Sequence, residues 1–149
     1  MTTKKWNNHF SGNEQTINNK NSNNVKEDKH ISFFQENVLD LKNEKYDEFC
    51  NSALEYAECL KEGNVTTSMI RKIYSRVLNA NTVMEIKHLR PHFAYTAGRY
   101  EKNFVLKKFM NLLDFLAKNM EENNEQHLVN FKQFMEAIVA YRKYVGKDN

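Results

Sequence analysis

The sequence predicts an all-α fold: a compact bundle of about five helices behind a disordered, Asn-rich N-terminal tail. Three observations predict it. Four Gly and one Pro among 149 residues leave few turn formers, which argues for helices joined by short loops. Beyond residue 30, apolar residues recur at spacings of three and four, the helical period. Ser, Thr and Asn stand ahead of these stripes, where helix N-caps belong. Apolar residues make up 40% of the chain, enough for one moderate core once the tail is set aside. The expected division is a tail over 1–30 and a single helical-bundle domain over 31–149.

The tail, "WNNHFSGNEQTINNKNSNN", has sparse hydrophobics and no period, so it is expected to be disordered; Trp6 and Phe10 are its candidate docking residues. Ser32 with Gln35 three residues later is a capping-box pattern for a short helix carrying Phe34, Val38 and Leu41. Glu44 to Glu62 follows, with Tyr46, Phe49, Ala53, Ala57 and Leu60 on one stripe and Gly63 as its stop. Thr66 or Thr67 caps the next segment, "TTSMIRKIYSRVLNAN". On a helical wheel, Arg71, Ser75, Asn79, Lys72 and Arg76 fall within an arc of about 140°. Met69, Ile70, Ile73, Tyr74, Val77 and Leu78 fill the other side. Thr82 and Glu85 form a second capping box, and Ile86, Leu89, Phe93 and Ala97 mark the apolar side beyond it. Pro91 either kinks that helix or begins a fresh one. "NFVLKKFMNLLDFLAKNM" is apolar around most of its circumference and is expected to be the most buried helix. Asn123 or Asn124 caps the last helix, with Phe131, Phe134, Met135, Ile138 and Val145 as its stripe and Gly146 at its end. Ala94 and Gly98, four residues apart, read as a packing notch for another backbone.

The composition excludes several function classes. No apolar run approaches the ~18 residues of a membrane span, and "MTTKKWNNHF" is no secretory signal, so the expected location is the cytoplasm. Cys50 and Cys59 lie nine residues apart, about half a revolution on one helix, and read as reduced packing cysteines. His88 and His92 have metal-ligand spacing, but Leu89 stands where a zinc protease needs Glu, Pro91 intervenes and a third ligand is missing. No nucleophile elbow or Glu-x-x-His pairing occurs. No catalytic residue, metal or cofactor is therefore expected.

Charge is the stronger lead. The net formal charge is +3, yet residues 71–118 carry ten Lys/Arg against three Asp/Glu, a local +7. The polar arc that contains Arg71, Lys72 and Arg76 has no acid, whereas an ordinary solvated face mixes signs. Phosphate backbones attract such cations regardless of base sequence. The candidate RNA-binding residues are Arg71, Lys72, Arg90 and Arg99, followed by Lys87, Lys102, Lys107 and Lys108. Tyr74, Phe93, Tyr95 and Tyr100 are nearby aromatics able to stack on bases, although Phe93 fits the core better.

Three stretches, "TTSMIRKIYSRV", "LRPHFAYTAGR" and "FMEAIVAYRKYVG", resemble the small subunit of the type III-A CRISPR (Csm) effector complex. The resemblance spans roughly Tyr46 to Gly146. Its most specific parts are A-Y-x-A-G-R (Ala94 to Arg99) and E-A-I-V-A-Y (Glu136 to Tyr141). The family often has His after the final A-Y; Arg142 stands there in this chain. The resemblance implies an all-helical, non-catalytic subunit that stacks head to tail along CRISPR RNA and target RNA. It implies contacts with a row of backbone subunits and with a large signalling subunit, which hold the activities, and no membrane partner. Guides vary, so such a protein reads backbone and duplex shape while base pairing supplies sequence. The rival readings are a helical protein-interaction scaffold with a basic face, the equivalent type III-B small subunit, and a small ribonuclease using His88 or His92.

Overall fold

A computed structural model describes the backbone of residues 11–148 and the side chains of residues 24–148. Its described residues form seven α-helices, one 3-10 turn and no strands. The helices are α1 (Ser11–Asn37), α2 (Tyr46–Glu62), α3 (Thr67–Asn79), α4 (Val83–Lys87), α5 (Arg90–Arg99), α6 (Phe104–Asn119) and α7 (Glu125–Tyr144). The 3-10 turn Asn43–Lys45 leads into α2. No helix among the described residues is long and apolar enough to cross a membrane.

Helix starts follow the side chains available to satisfy free backbone N–H groups. Thr66 Oγ1 accepts from the Met69 amide at 3.1 Å, and Thr82 Oγ1 from the Glu85 amide at 3.1 Å. Glu85 reaches back past the cap to accept from the Asn81 amide. Asn103 caps α6 and Asn124 caps α7 in the same way. Pro91 sits in the first turn of α5, where no intrahelical N–H is needed, so it begins a fresh helix.

The described residues hold seven helices where about five are expected: Pro91 begins α5 separately from α4, and the short helix expected after Ser32 is the end of α1. Residues 1–10 of the expected tail, with Trp6 and Phe10, lie outside the described residues. Within the expected tail, α1 runs from Ser11, and Glu27 and His30 in its C-terminal half are buried. Ser32 is accordingly interior to α1 rather than its cap. Burial of His30, Phe34 and Val38 against the bundle carries the helix through the capping pattern.

α5 packs on α6, α2 and α3 on α7, and α1 on α2. Phe34, Phe49, Tyr56, Phe109 and Phe134 join α1, α2, α6 and α7 in one aromatic cluster. Its ring centroids lie 5.0 Å apart for Phe34–Phe134 and 6.0 Å for Tyr56–Phe109. Such pairs contribute about 0.5–1.5 kcal/mol each beyond area burial. α6 buries Leu106, Phe109, Met110, Leu112, Leu113, Leu116 and Ala117. Two expected core positions lie outward instead: Tyr46 and Leu78 are each 49% exposed.

Candidate nucleic-acid interface

α3 presents the predicted basic arc. Ile70, Ile73 and Val77 are buried, which turns Arg71, Lys72, Ser75, Arg76 and Asn79 to solvent. Neither Arg71 nor Lys72 makes an ion pair or side-chain hydrogen bond among the described residues. Their charge is uncompensated by nearby carboxylates, as an anion site requires.

The other candidates divide. Arg90 is forked onto Asp114 of α6, Nε to Oδ1 at 2.7 Å and Nη2 to Oδ2 at 3.3 Å. This hydrogen bonding lifts the guanidinium pKa further. Lys87 donates to the Ala117 carbonyl at 2.9 Å and the Lys118 carbonyl at 3.0 Å, closing the C-terminal end of α6. Lys108 donates to Asp28 at 3.0 Å and lies 3.9 Å from Glu27, tying α6 to α1. All three side chains are committed to internal partners that lie 24 to 80 residues away in sequence. No local sequence pattern reveals those partners.

Arg99, Lys102 and Lys107 are exposed. Arg99 lies over the Tyr100 ring, 5.5 Å from its centroid. Arg99 and Lys102 share a groove of about 800 Å³ whose walls include Glu62, Glu101, Tyr100 and Phe104. The fold thus unites Arg99 with Lys102 but leaves Arg71 and Lys72 on a separate helix. The charge of Arg76 on α3 acts on His92 of α5, lowering its pKa second to burial.

The packing-notch reading of Ala94 and Gly98 is corrected. Both are exposed, and a Cβ built on Gly98 meets nothing within 4 Å. The side of α5 that packs on the bundle carries Phe93 and Ala97 instead.

Among the described residues no group of three His, Cys, Asp or Glu is placed to hold a metal. His88 is exposed, and His92 stacks on Tyr95. Cys50 and Cys59 are free thiols, and burial pushes Cys59 up to about 11, so it stays protonated. His127 accepts from the Glu121 amide at Nδ1 and meets Asp40 at 2.9 Å through Nε2, fastening the start of α7.

The sequence marks Arg142 only as a departure from a family His. In the fold it is 1% exposed and donates to the Val65 and Gly146 carbonyls and to Asp148. Asp148 also accepts from the Thr67 amide at 3.1 Å and the Thr67 hydroxyl at 3.2 Å. These bonds, the amide first, hold its carboxyl below the usual range. The segment after α7 is thereby pinned to Thr67 at the start of α3.

A family model, Csm2 Type III-A, matches residues 43–148. The chain is also similar to "CRISPR system Cms protein Csm2" of Streptococcus thermophilus: 31% identical over 121 residues, covering 72% of this chain and 98% of that protein. No solved structure matches. The family match begins after α1 and takes in every candidate cation, from Arg71 to Lys108. The chain belongs to the Csm2 type III-A family, the small subunit of the type III-A CRISPR complex.

Proposed function

We propose that this small subunit is non-catalytic and binds guide and target RNA through their backbones, without sequence specificity, in antiviral defence. The observation that carries the reading is the acid-free exposed face of α3, whose Arg71 and Lys72 have no partner among the described residues. Arg99, Lys102 and Lys107 extend the contact. Arg90, Lys87 and Lys108 serve the fold first, because an ion pair or a helix cap must be given up before they reach a phosphate. CRISPR RNA, the backbone subunits, the large signalling subunit and a second copy met head to tail are the partners, in the cytoplasm. Cleavage and signalling chemistry belong to the other subunits.

A reconstituted type III-A complex tests this. Arg71→Glu with Arg99→Glu lowers retention of target RNA while the isolated variant keeps its helical circular-dichroism signal. Retention equal to the parent complex contradicts the assignment and favours the scaffold reading. The exposed Phe104 and Tyr144 are the side chains that a scaffold would use.

A further inference from the structure

The outer face of α5 contains an aromatic pair that the fold does not use. Tyr95 is 65% exposed and stacks on His92, with ring centroids 6.5 Å apart and planes 22° from parallel. Arg99 follows Tyr95 by four residues and so lies on the same face, one turn along. The charge of Arg76 on α3 acts on His92. α5 contains no Asp or Glu. Ala94 and Gly98 run beside the Tyr95–Arg99 ridge, and the space over Gly98 is open. A glycine in a helix costs about 1 kcal/mol relative to Ala, and no packing among the described residues requires this one.

We infer that this face of α5 is a stacking platform for unpaired bases of single-stranded RNA, with Tyr95 as the seat and Arg76 and Arg99 as flanking phosphate contacts. Single strands can splay bases onto aromatic rings, whereas duplex bases are already stacked and paired. A phenol ring accepts any base by its face, so the contact is indifferent to sequence. The small side chains at 94 and 98 let a ribose–phosphate strand lie close to the helix while a base reaches the ring. His92 backs the ring. Its pKa is lowered, burial first and Arg76 second, so it is neutral at pH 7 and adds an uncharged stacking partner. The inference rests on the RNA-binding reading and adds a preference for unpaired strands that phosphate contacts alone do not create.

The test uses the full chain with two RNAs of equal length, a single strand and a hairpin duplex, each read by fluorescence anisotropy. A single strand carrying 2-aminopurine reports base stacking directly. Tyr95→Ala lowers single-strand affinity about tenfold, in line with the loss of one base–aromatic stack, and leaves duplex affinity within twofold. Tyr95→Phe restores both the affinity and the quenching of 2-aminopurine. Gly98→Leu, whose Cβ meets nothing within 4 Å, keeps the helical circular-dichroism signal yet loses single-strand affinity by obstruction. Equal losses on both RNAs, or no loss with Tyr95→Ala, overturn the platform while leaving the RNA-binding reading intact. A parent chain that binds neither RNA removes that reading, and the platform with it.

Discussion

At the residue scale, Arg142 shows how a charge is held inside an apolar bundle. Each of its three guanidinium nitrogens donates once, to two carbonyls and a carboxylate, so none of the three is buried without a partner. Arg142→Ala strands the Val65 and Gly146 carbonyls and leaves Asp148 held by Thr67 alone. The expected loss is about 3 kcal/mol in urea unfolding. Arg71→Ala, at an exposed position, stays within about 0.5 kcal/mol. Equal midpoints for the two variants would contradict the burial argument. The position is legible in part: Arg142 continues the stripe of Phe131, Met135 and Ile138 at helical spacing. The pairing with Asp148 is not, because an arginine near a helix end reads as an ordinary surface cap.

His30 supplies the pH dependence at this scale. Burial lowers its pKa, outweighing the attraction of Glu55 at 2.9 Å. The unfolded chain therefore binds this proton more readily than the folded one. Stability is full above about pH 6.5, the ordinary histidine value, and falls as pH drops from there through the lowered folded pKa. Melting between pH 7.5 and pH 5 follows this loss, and His30→Gln reduces it. His92, shifted in the same direction, retains its own share. A melting profile indifferent to His30→Gln across that window would exclude this source.

At the element scale, the glycines separate three physical roles that sequence spacing merges. Gly63 stops α2 as expected, yet its φ is −85°, and the left-handed residue is Asn64 at φ 60°. Gly63 is small because Val105 lies against it, and a Cβ there would overlap that side chain. Gly146 is the true left-handed stop, at φ 108° after α7. Gly98 meets nothing. Gly63→Ala therefore destabilises by roughly 1–3 kcal/mol through overpacking. Gly98→Ala is neutral or stabilising by up to about 1 kcal/mol through helix propensity. Thermal unfolding of the two variants distinguishes them by the sign of the shift.

Helices with strong periodicity and side-chain caps are legible nearly to the residue: Thr66, Thr82, Asn103 and Asn124 each accept from a first-turn amide. α1 is not, because its amphipathic signal is weak and its hold on the bundle comes from distant residues. Lys108 and Glu55 receive Asp28 and His30, and Phe134 receives Phe34. A tertiary surface decides the helix there, and the local Ser32 pattern loses to it.

At the scale of the whole molecule, the +7 of residues 71–118 resolves into cations that stabilise the bundle and cations that remain free of it. Sequence reasoning finds the helices that bear them and the acid-free arc of α3. It cannot separate Arg90 from Arg71, because Asp114 lies on a neighbouring helix 24 residues away. It also reads Gly98 as an internal contact, whereas the space above it is open. The family match over residues 43–148 coincides with the part that carries the free cations, while α1 is docked outside it. Each neutralised phosphate releases counterions, so an RNA held this way must be salt-sensitive.

The central claim is that exposed, unpaired cations of α3 and α5 grip the RNA backbone. Its most direct test is the affinity of the full chain for a mixed-sequence single-stranded RNA between about 50 and 200 mM salt. Log affinity falls linearly with log salt, and the slope shrinks by about 0.7 for each phosphate no longer neutralised, so Arg71→Glu with Arg99→Glu flattens it visibly. Arg90→Gln, which removes a cation already held by Asp114, leaves the slope close to that of the parent. A slope unchanged in the double variant, or reduced most by Arg90→Gln, contradicts the account.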